Sequence, residues 1–241
     1  IEEEIKNVIA LVNKIYNKFG LEHKAFLSTR PDSFMGDPKV WEKAEADLKK
    51  ILNEVYGENN YGLKEKDGAF YGPKIDFQLK DCLGRTWQCA TIQLDFQMPL
   101  KFGCIYADSD GKEKTPVLIH RTIMGSFERF IGILIEHYAG AFPFWLAPVQ
   151  IKILPVGESH REYAKVVAEK LKDYRVKIDD NNETIGKKIR AAEMEKIPYI
   201  LVVGDVEKEK GTVSARQRGK IDLGEISIEE LINNIEFINK L

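Results

Sequence analysis

The chain has 241 residues, room for two modest domains, and its 44% hydrophobic and 31% charged content is that of a globular protein able to bury real cores. A formal net charge of −2 excludes a global basic field that would grip nucleic acid regardless of sequence, so any such contact has to be local. Three cysteines (Cys82, Cys89, Cys104) without a close C-x-x-C pair exclude a disulfide framework and predict reduced thiols in a cytoplasmic protein, and with no apolar run of spanning length no membrane partner is expected.

The chain opens at Ile1, without a methionine and already inside an amphipathic pattern (Ile1, Ile5, Val8, Ile9, Val12, Ile15, Tyr16, Phe19). This predicts a helix capped at Gly20 and sequence missing upstream. Residues 23–34 read as a strand and turn. Asp37-Pro38 starts a helix whose apolar face is Val40, Trp41, Ala44, Leu48, Ile51, Leu52 and Val55. After the loop GENNYG come two β-rich runs, 69–81 and 85–98, joined at Cys82-Leu83-Gly84; a tight glycine-containing turn predicts an antiparallel hairpin. TPVLIHRT adds a strand. From Phe127 onward, Phe127, Phe130, Ile131, Ile133, Leu134, Ile135 and Tyr138 cover most of a helix circumference, which predicts a core helix buried almost all round.

Past Pro148 the rhythm changes. IKILPV, HREYAKVVAEKLKDY, RVKID, a helix over 184–195 and YILVVG alternate strand and helix, the mark of a parallel sheet. GTVSARQR adds a strand and ISIEELINNIEFINKL a closing helix. The expected organisation is an α+β antiparallel-sheet domain over residues 1–147, followed by an α/β domain with a mainly parallel sheet over 148–241.

Two features invite chemistry. Under strict alternation Cys89, Thr91, Gln93 and Asp95 share one strand face, opposite Ala90, Ile92, Leu94 and Phe96. The polar row is either a solvated face or the floor of a cleft; Trp87 in phase with it, and Tyr71-Gly72-Pro73-Lys74 just before, favour the cleft. The second feature is Arg129, inside the apolar helix, because burying an unpaired guanidinium is costly. Either it pairs with Glu128 or Glu136, or snorkels to solvent. Otherwise it is a planar cation for a purine or a phosphate, approached closely over Gly125-Ser126.

GAFYGPKIDF, TWQCATIQLDFQMP, HRTIMGSFERFIGILIEHYAGAFPFWLAPVQ and IPYILVVGD together resemble the threonyl-tRNA synthetases, a family of class II aminoacyl-tRNA synthetases, over essentially the whole chain. The resemblance implies the C-terminal part of a class II catalytic domain plus an anticodon-binding domain. It implies a threonine–tRNA ligase that forms threonyl-adenylate from threonine and ATP with Mg²⁺, passes the threonyl group to tRNA, and works as a homodimer. GSFERF resembles the third class II signature, so Arg129 would contact ATP, with Gln88, Thr91 and Ser126 lining the nucleotide. Tyr71, Lys74 and Gln93 match positions near the threonyl group; Arg129, Lys74 and Gln93 form the expected catalytic set. Gln88 is out of phase with Thr91 and Gln93, so a shared site requires a bulge around Cys89-Ala90.

His120 resembles one of three zinc ligands, the other two lying upstream of Ile1. Such a zinc would hold threonine's hydroxyl and amino groups, a distinction from valine that a merely enclosing pocket makes poorly. Asn182, Arg190, Glu207 and Arg216 match anticodon-contacting positions, and Lys196 falls where the family often carries an arginine. Lys187, Lys188 and Arg190, and Arg216, Arg218 and Lys220, form local basic clusters. The first and second class II signatures do not occur in these residues, so the piece alone is expected to be inactive. The alternative is a non-catalytic RNA-binding relative or accessory subunit; Arg129, Gln93 and His120 argue against it.

Overall fold

A computed structural model describes residues 1–240, with side chains through Phe237. The chain divides into two compact units, Ile1–His137 and Tyr138 onward.

In the first unit, α1 (Glu2–Phe19) ends where Gly20 turns left-handed at φ 68°. Helix α2 (Pro38–Tyr56) starts from Asp37, whose side chain accepts the Lys39 N–H. Their apolar stripes, including Ile9, Val12, Tyr16, Leu48, Ile51 and Leu52, are buried. The sheet beneath them is built from β1 (His23–Ser28), β2 (Gly62–Lys64), β3 (Lys74–Lys80), β4 (Thr86–Asp95) and, after a short helix α3 (Met98–Lys101) and a small hairpin of β5 (Tyr106–Ala107) and β6 (Glu113–Lys114), β7 (Leu118–Thr122). Its order is β2-β1-β3-β4-β7. All pairs are antiparallel except β1–β2, which is parallel. Ile75, Phe77, Leu79, Ala90, Ile92 and Leu94 form its buried apolar face.

Helix α4 (Phe127–His137) departs from expectation. Only Phe130, Ile133 and Leu134 are buried, whereas Phe127, Ile131 and Ile135 are 70%, 51% and 48% exposed. At about 100° per residue those three line up on the side away from the unit, and a helix packed along one side, here through Phe130 against Tyr16 and Phe19 of α1, can hide only one stripe. Arg129 is likewise exposed, so no buried guanidinium has to be neutralised.

The second unit comprises β8 (Ile151–Pro155), α5 (Arg161–Lys170), β9 (Val176–Ile178), α6 (Ile185–Met194), β10 (Tyr199–Val203), α7 (Asp205–Lys210), β11 (Val213–Gln217), β12 (Ile221–Ile226) and α8 (Ile228–Lys240). The sheet order is β12-β11-β10-β8-β9. The mainly parallel sheet expected is in fact mixed. β8 pairs β9 and β10 in parallel, but β10–β11 and β11–β12 are antiparallel. The links explain this: one six-residue helix joins β10 to β11 and a tight turn joins β11 to β12, both too short for a crossover. One face packs on α5 and α8 through Ile153, Leu201, Val213 and Ala215, the other on α6 through Leu154 and Ile200.

Candidate functional site

The site begins with a bulge. Phe77 pairs with Ala90 but Gln78 pairs with Gln88, which leaves Cys89 unmatched where the polar residues needed a change of phase. Gln88, Thr91 and Gln93 therefore share the sheet face opposite the buried apolar one. The same bulge removes Trp87 from that row: it sits opposite Leu79, in phase with the apolar side, contrary to the strict alternation assumed from sequence. Gly125 lies over the bulge at φ 67°, where a Cβ would stand 3.2 Å from the Cys89 carbonyl oxygen. Glycine is thus demanded there by conformation and by close approach.

Gly72 works in the same way on the neighbouring segment. A Cβ on it would lie 1.7 Å from the Leu94 carbonyl oxygen, so only glycine lets residues 71–73 lie against β4, where Leu94 N–H donates to Pro73 O at 3.1 Å. This approach puts the Tyr71 hydroxyl on Gln93 Oε1, to which it donates. Lys74 lies opposite Gln93 in register, its Nζ 3.0 Å from Asp76. Asp76 is fully buried and also accepts from Gln88 Nε2 (2.6 Å), Thr91 Oγ1 (3.1 Å) and Ser28 Oγ (3.0 Å). The sequence reading does not single it out. The available signal was a carboxylate between Ile75 and Phe77 in mid-strand, where burial demands several donors.

His120 lies opposite Gln93 across β4–β7, its ring centroid 5.7 Å from that of Tyr71. Its Nε2 is 2.9 Å from Asp95 Oδ2, while Asp95 Oδ1 accepts from the Gln97 and Met98 amides. Burial pushes the Asp95 carboxyl up, but bonds from His120 and the two amides outweigh it and hold it below the usual range. Among the described residues no third His, Cys, Asp or Glu joins this pair into a metal cluster. Two donors fall short of the three protein ligands of a catalytic zinc, so these residues alone do not fit the metal.

Arg129 and Ser126 stand apart from the polar cluster. Ser126 Oγ accepts the Arg129 amide at 3.3 Å, and the guanidinium rests 5.4 Å from the Trp87 ring centroid. Glu136, a partner considered for Arg129, is taken by Arg85. Arg85 also binds Asp81, which accepts the Trp87 indole N–H at 2.8 Å. The aromatic platform under Arg129 is therefore anchored by a buried carboxylate.

In the second unit Asn182, Arg190, Lys196 and Arg216 are exposed. Asn182 lies in the loop before α6 and Arg190 on that helix. Arg216 follows Ser214 by two on β11, so both project on the α6 side with their partners Ile200 and Val202. Arg216 reaches Asp222 at 3.4 Å and borders a pocket of about 220 Å³ with Ile200, Arg218 and Lys220. Glu207 is committed within the unit: Oε2 accepts the Gly204 amide (2.9 Å) and Oε1 the Ser214 hydroxyl (2.6 Å). Lys196, at φ 58°, donates to the Ala139 carbonyl. Lys188, grouped with the surface cations from sequence, is buried and donates to the carbonyls of Pro155 (3.1 Å) and Asp179 (3.3 Å); it supports the α6 contact instead of facing solvent.

Residues 1–138 match the tRNA synthetase class II core domain (G, H, P, S and T), and residues 150–237 the anticodon binding domain. Threonine–tRNA ligases of Carboxydothermus hydrogenoformans and Clostridium botulinum are each 55% identical over 98% of this chain, which spans 37% of their length. A crystal structure described as the RNA binding domain of threonyl-tRNA synthetase from Cryptosporidium parvum superposes with a TM-score of 0.89 at 38% identity, covering 98% of this chain and 60% of that one. The core match alone takes in more than half of the residues: the chain belongs to the class II tRNA synthetases, and its likeness over nearly all its length is to threonine–tRNA ligases.

Proposed function

We propose that the chain is the C-terminal part of a threonine–tRNA ligase, with a catalytic portion to residue 147 and an anticodon-reading portion from residue 148. The observation that carries the reading is the polar face of β3, β4 and β7, where one bulge brings Gln88, Thr91 and Gln93 into line with Tyr71, Lys74 and His120. On this reading ATP and threonine lie across that face. Gln88 and Thr91 meet the nucleoside. Tyr71, Lys74 and Gln93 meet the threonyl group and the phosphate to which it becomes joined. Arg129, exposed at the start of α4, leaves Trp87 to stack on the base or meet phosphate, as a planar guanidinium can do either. Threonine's carboxylate is itself the nucleophile, so the side chains contribute positioning and charge stabilisation, with Mg²⁺ arriving on ATP. The tRNA is read by Asn182, Arg190, Lys196, Glu207 and Arg216, and the assembled enzyme is a cytoplasmic homodimer. His120 would contribute one zinc ligand only if the metal's remaining ligands came from residues outside this chain.

The test is threonine-dependent ATP–pyrophosphate exchange by the longest polypeptide its gene encodes. Exchange with threonine and not with valine is the expected result. Exchange absent with every amino acid, alongside retained RNA binding, would favour the accessory RNA-binding reading.

A further inference from the structure

We infer that Asp76 is a positioning residue that sets the hydrogen-bonding polarity of the polar face, an inference that rests on the nucleotide reading proposed above. Asp76 lies at 0% exposure in the middle of β3, directly opposite Thr91. A carboxylate accepts hydrogen bonds and cannot donate them, so every group turned towards it must present a proton. Its Oδ1 takes Gln88 Nε2 at 2.6 Å and Thr91 Oγ1 at 3.1 Å; its Oδ2 takes Ser28 Oγ at 3.0 Å and Lys74 Nζ at 3.0 Å, with Lys64 Nζ at 3.8 Å. Gln88 Nε2 also lies 3.0 Å from Thr91 Oγ1.

The consequence falls on Gln88. Both amide protons are spent inside the protein, one on Asp76 and one on the Thr91 hydroxyl, whose own proton goes to Asp76. Gln88 is exposed, and the capacity left to a ligand is its carbonyl oxygen. Whatever lies against Gln88 must bring a donor, a hydroxyl or an amine. Gln93 is oriented the opposite way: its Oε1 accepts from Tyr71, which leaves Nε2 as a donor. Lys74 beside it is a donor as well. The face is thus polarised, accepting at Gln88 and donating at Gln93 and Lys74. That pattern fits a nucleoside hydroxyl or amine at one end and phosphate or carboxyl oxygens at the other. Without Asp76 the Gln88 amide could turn over, because its two ends are nearly the same size, and the distinction would be lost.

The test has two arms, both on the longest polypeptide its gene encodes. In the first, NMR follows the side-chain amide of Gln88, identified by its loss in Gln88→Met. Slow exchange of both protons with solvent, and a changed shift in Asp76→Asn, are expected; a freely exchanging amide in the parent would overturn the inference. In the second, binding of ATP is compared with analogues that each lack one donor, the 6-amine, the 2′-hydroxyl or the 3′-hydroxyl. The parent should disfavour one of them by about tenfold, the worth of one good hydrogen bond. Asp76→Asn and Gln88→Met should each abolish that preference while retaining the weakened affinity for ATP. Uniform weakening of all nucleotides by Asp76→Asn, or a preference that survives Gln88→Met, would overturn the inference. Should Asp76→Asn fail to fold, Gln88→Met and the parent amide still decide. A parent with a protected amide but no affinity for ATP would remove the nucleotide reading and leave the orientation of Gln88 by Asp76 standing.

Discussion

Replacing Gly72 by alanine tests the geometry of the site at its tightest point. The backbone there is compatible with alanine, since Gly72 is not among the positive-φ glycines, so the penalty is steric. The new Cβ would meet the Leu94 carbonyl oxygen at 1.7 Å, and that atom belongs to a strand paired on both sides. Relief to an ordinary contact near 3.5 Å requires residues 71–73 to retreat by roughly 1.8 Å, a scale of displacement that overpacked sites accommodate at a cost of about 1–3 kcal/mol. The retreat also strains the Leu94 N–H bond to Pro73, worth about 1 kcal/mol. The sum is about 2–4 kcal/mol, or roughly 5–15 °C in the melting of a unit of this size. Gly132→Ala is the matched control. It lies within α4, a Cβ there meets nothing within 4 Å, and alanine should stabilise the helix by about 0.5–1 kcal/mol. Urea and thermal unfolding followed by circular dichroism would measure both. If Gly72→Ala melts with the parent or with Gly132→Ala, the close approach that sets Tyr71 on Gln93 is not a feature of the molecule.

In the longest polypeptide its gene encodes, Arg129→Ala should reduce ATP–pyrophosphate exchange by orders of magnitude with little change in melting, because the guanidinium is exposed; unchanged exchange would reduce it to a surface cation resting on Trp87. Asp81 is pushed up by burial, yet bonds from Trp87, from the Arg85 side chain and from the Arg85 and Leu83 amides hold it at about 2 against an ordinary 3.8. A depressed carboxylate contributes stability above its unfolded value and loses it as pH falls through its folded one. The first unit should therefore weaken between about pH 4 and pH 2, and Asp81→Asn should flatten that part of the profile. Glu207→Ala should cost about 1–2 kcal/mol of stability, since the carboxylate caps α7 and holds Ser214. If Glu207 also reads a base, charging of cognate over anticodon-swapped tRNA should fall by roughly 1–3 kcal/mol; a loss of stability with that ratio unchanged would leave it a structural cap.

Much of the architecture is legible in periodicity. Ile5, Val8, Ile9 and Val12, and Trp41, Ala44, Leu48 and Leu52, bury the predicted stripes because helix spacing leaves little choice of face. Strand β12 is harder to see: Asp222, Gly224 and Glu225 interrupt it, Gly224 has φ 71°, and the register shifts at Ala215/Arg216. It is an edge strand whose pairing with β11 outweighs its weak local preference. The exposed stripe of α4 defeats composition, since apolar content says that a surface wants covering and not whether this unit covers it. The bulge could be inferred only by requiring Gln88 to share a face with Thr91 and Gln93, a requirement that came from resemblance. Lys188 and Glu207 look like surface charges in sequence because their partners are backbone groups and a distant hydroxyl, which leave no local pattern.

On the reading proposed here, the polar face of β3, β4 and β7 holds the reacting groups. The most direct measurement is a crystal structure of the longest natural polypeptide with a sulfamoyl analogue of threonyl-adenylate. The nucleoside should lie within hydrogen-bonding distance of Gln88 and Thr91, the threonyl group beside Tyr71 and Gln93, and the Arg129 guanidinium should have moved from Trp87 onto the analogue. An analogue bound elsewhere, or bound on this face with Gln88, Thr91 and Gln93 all untouched, would contradict it.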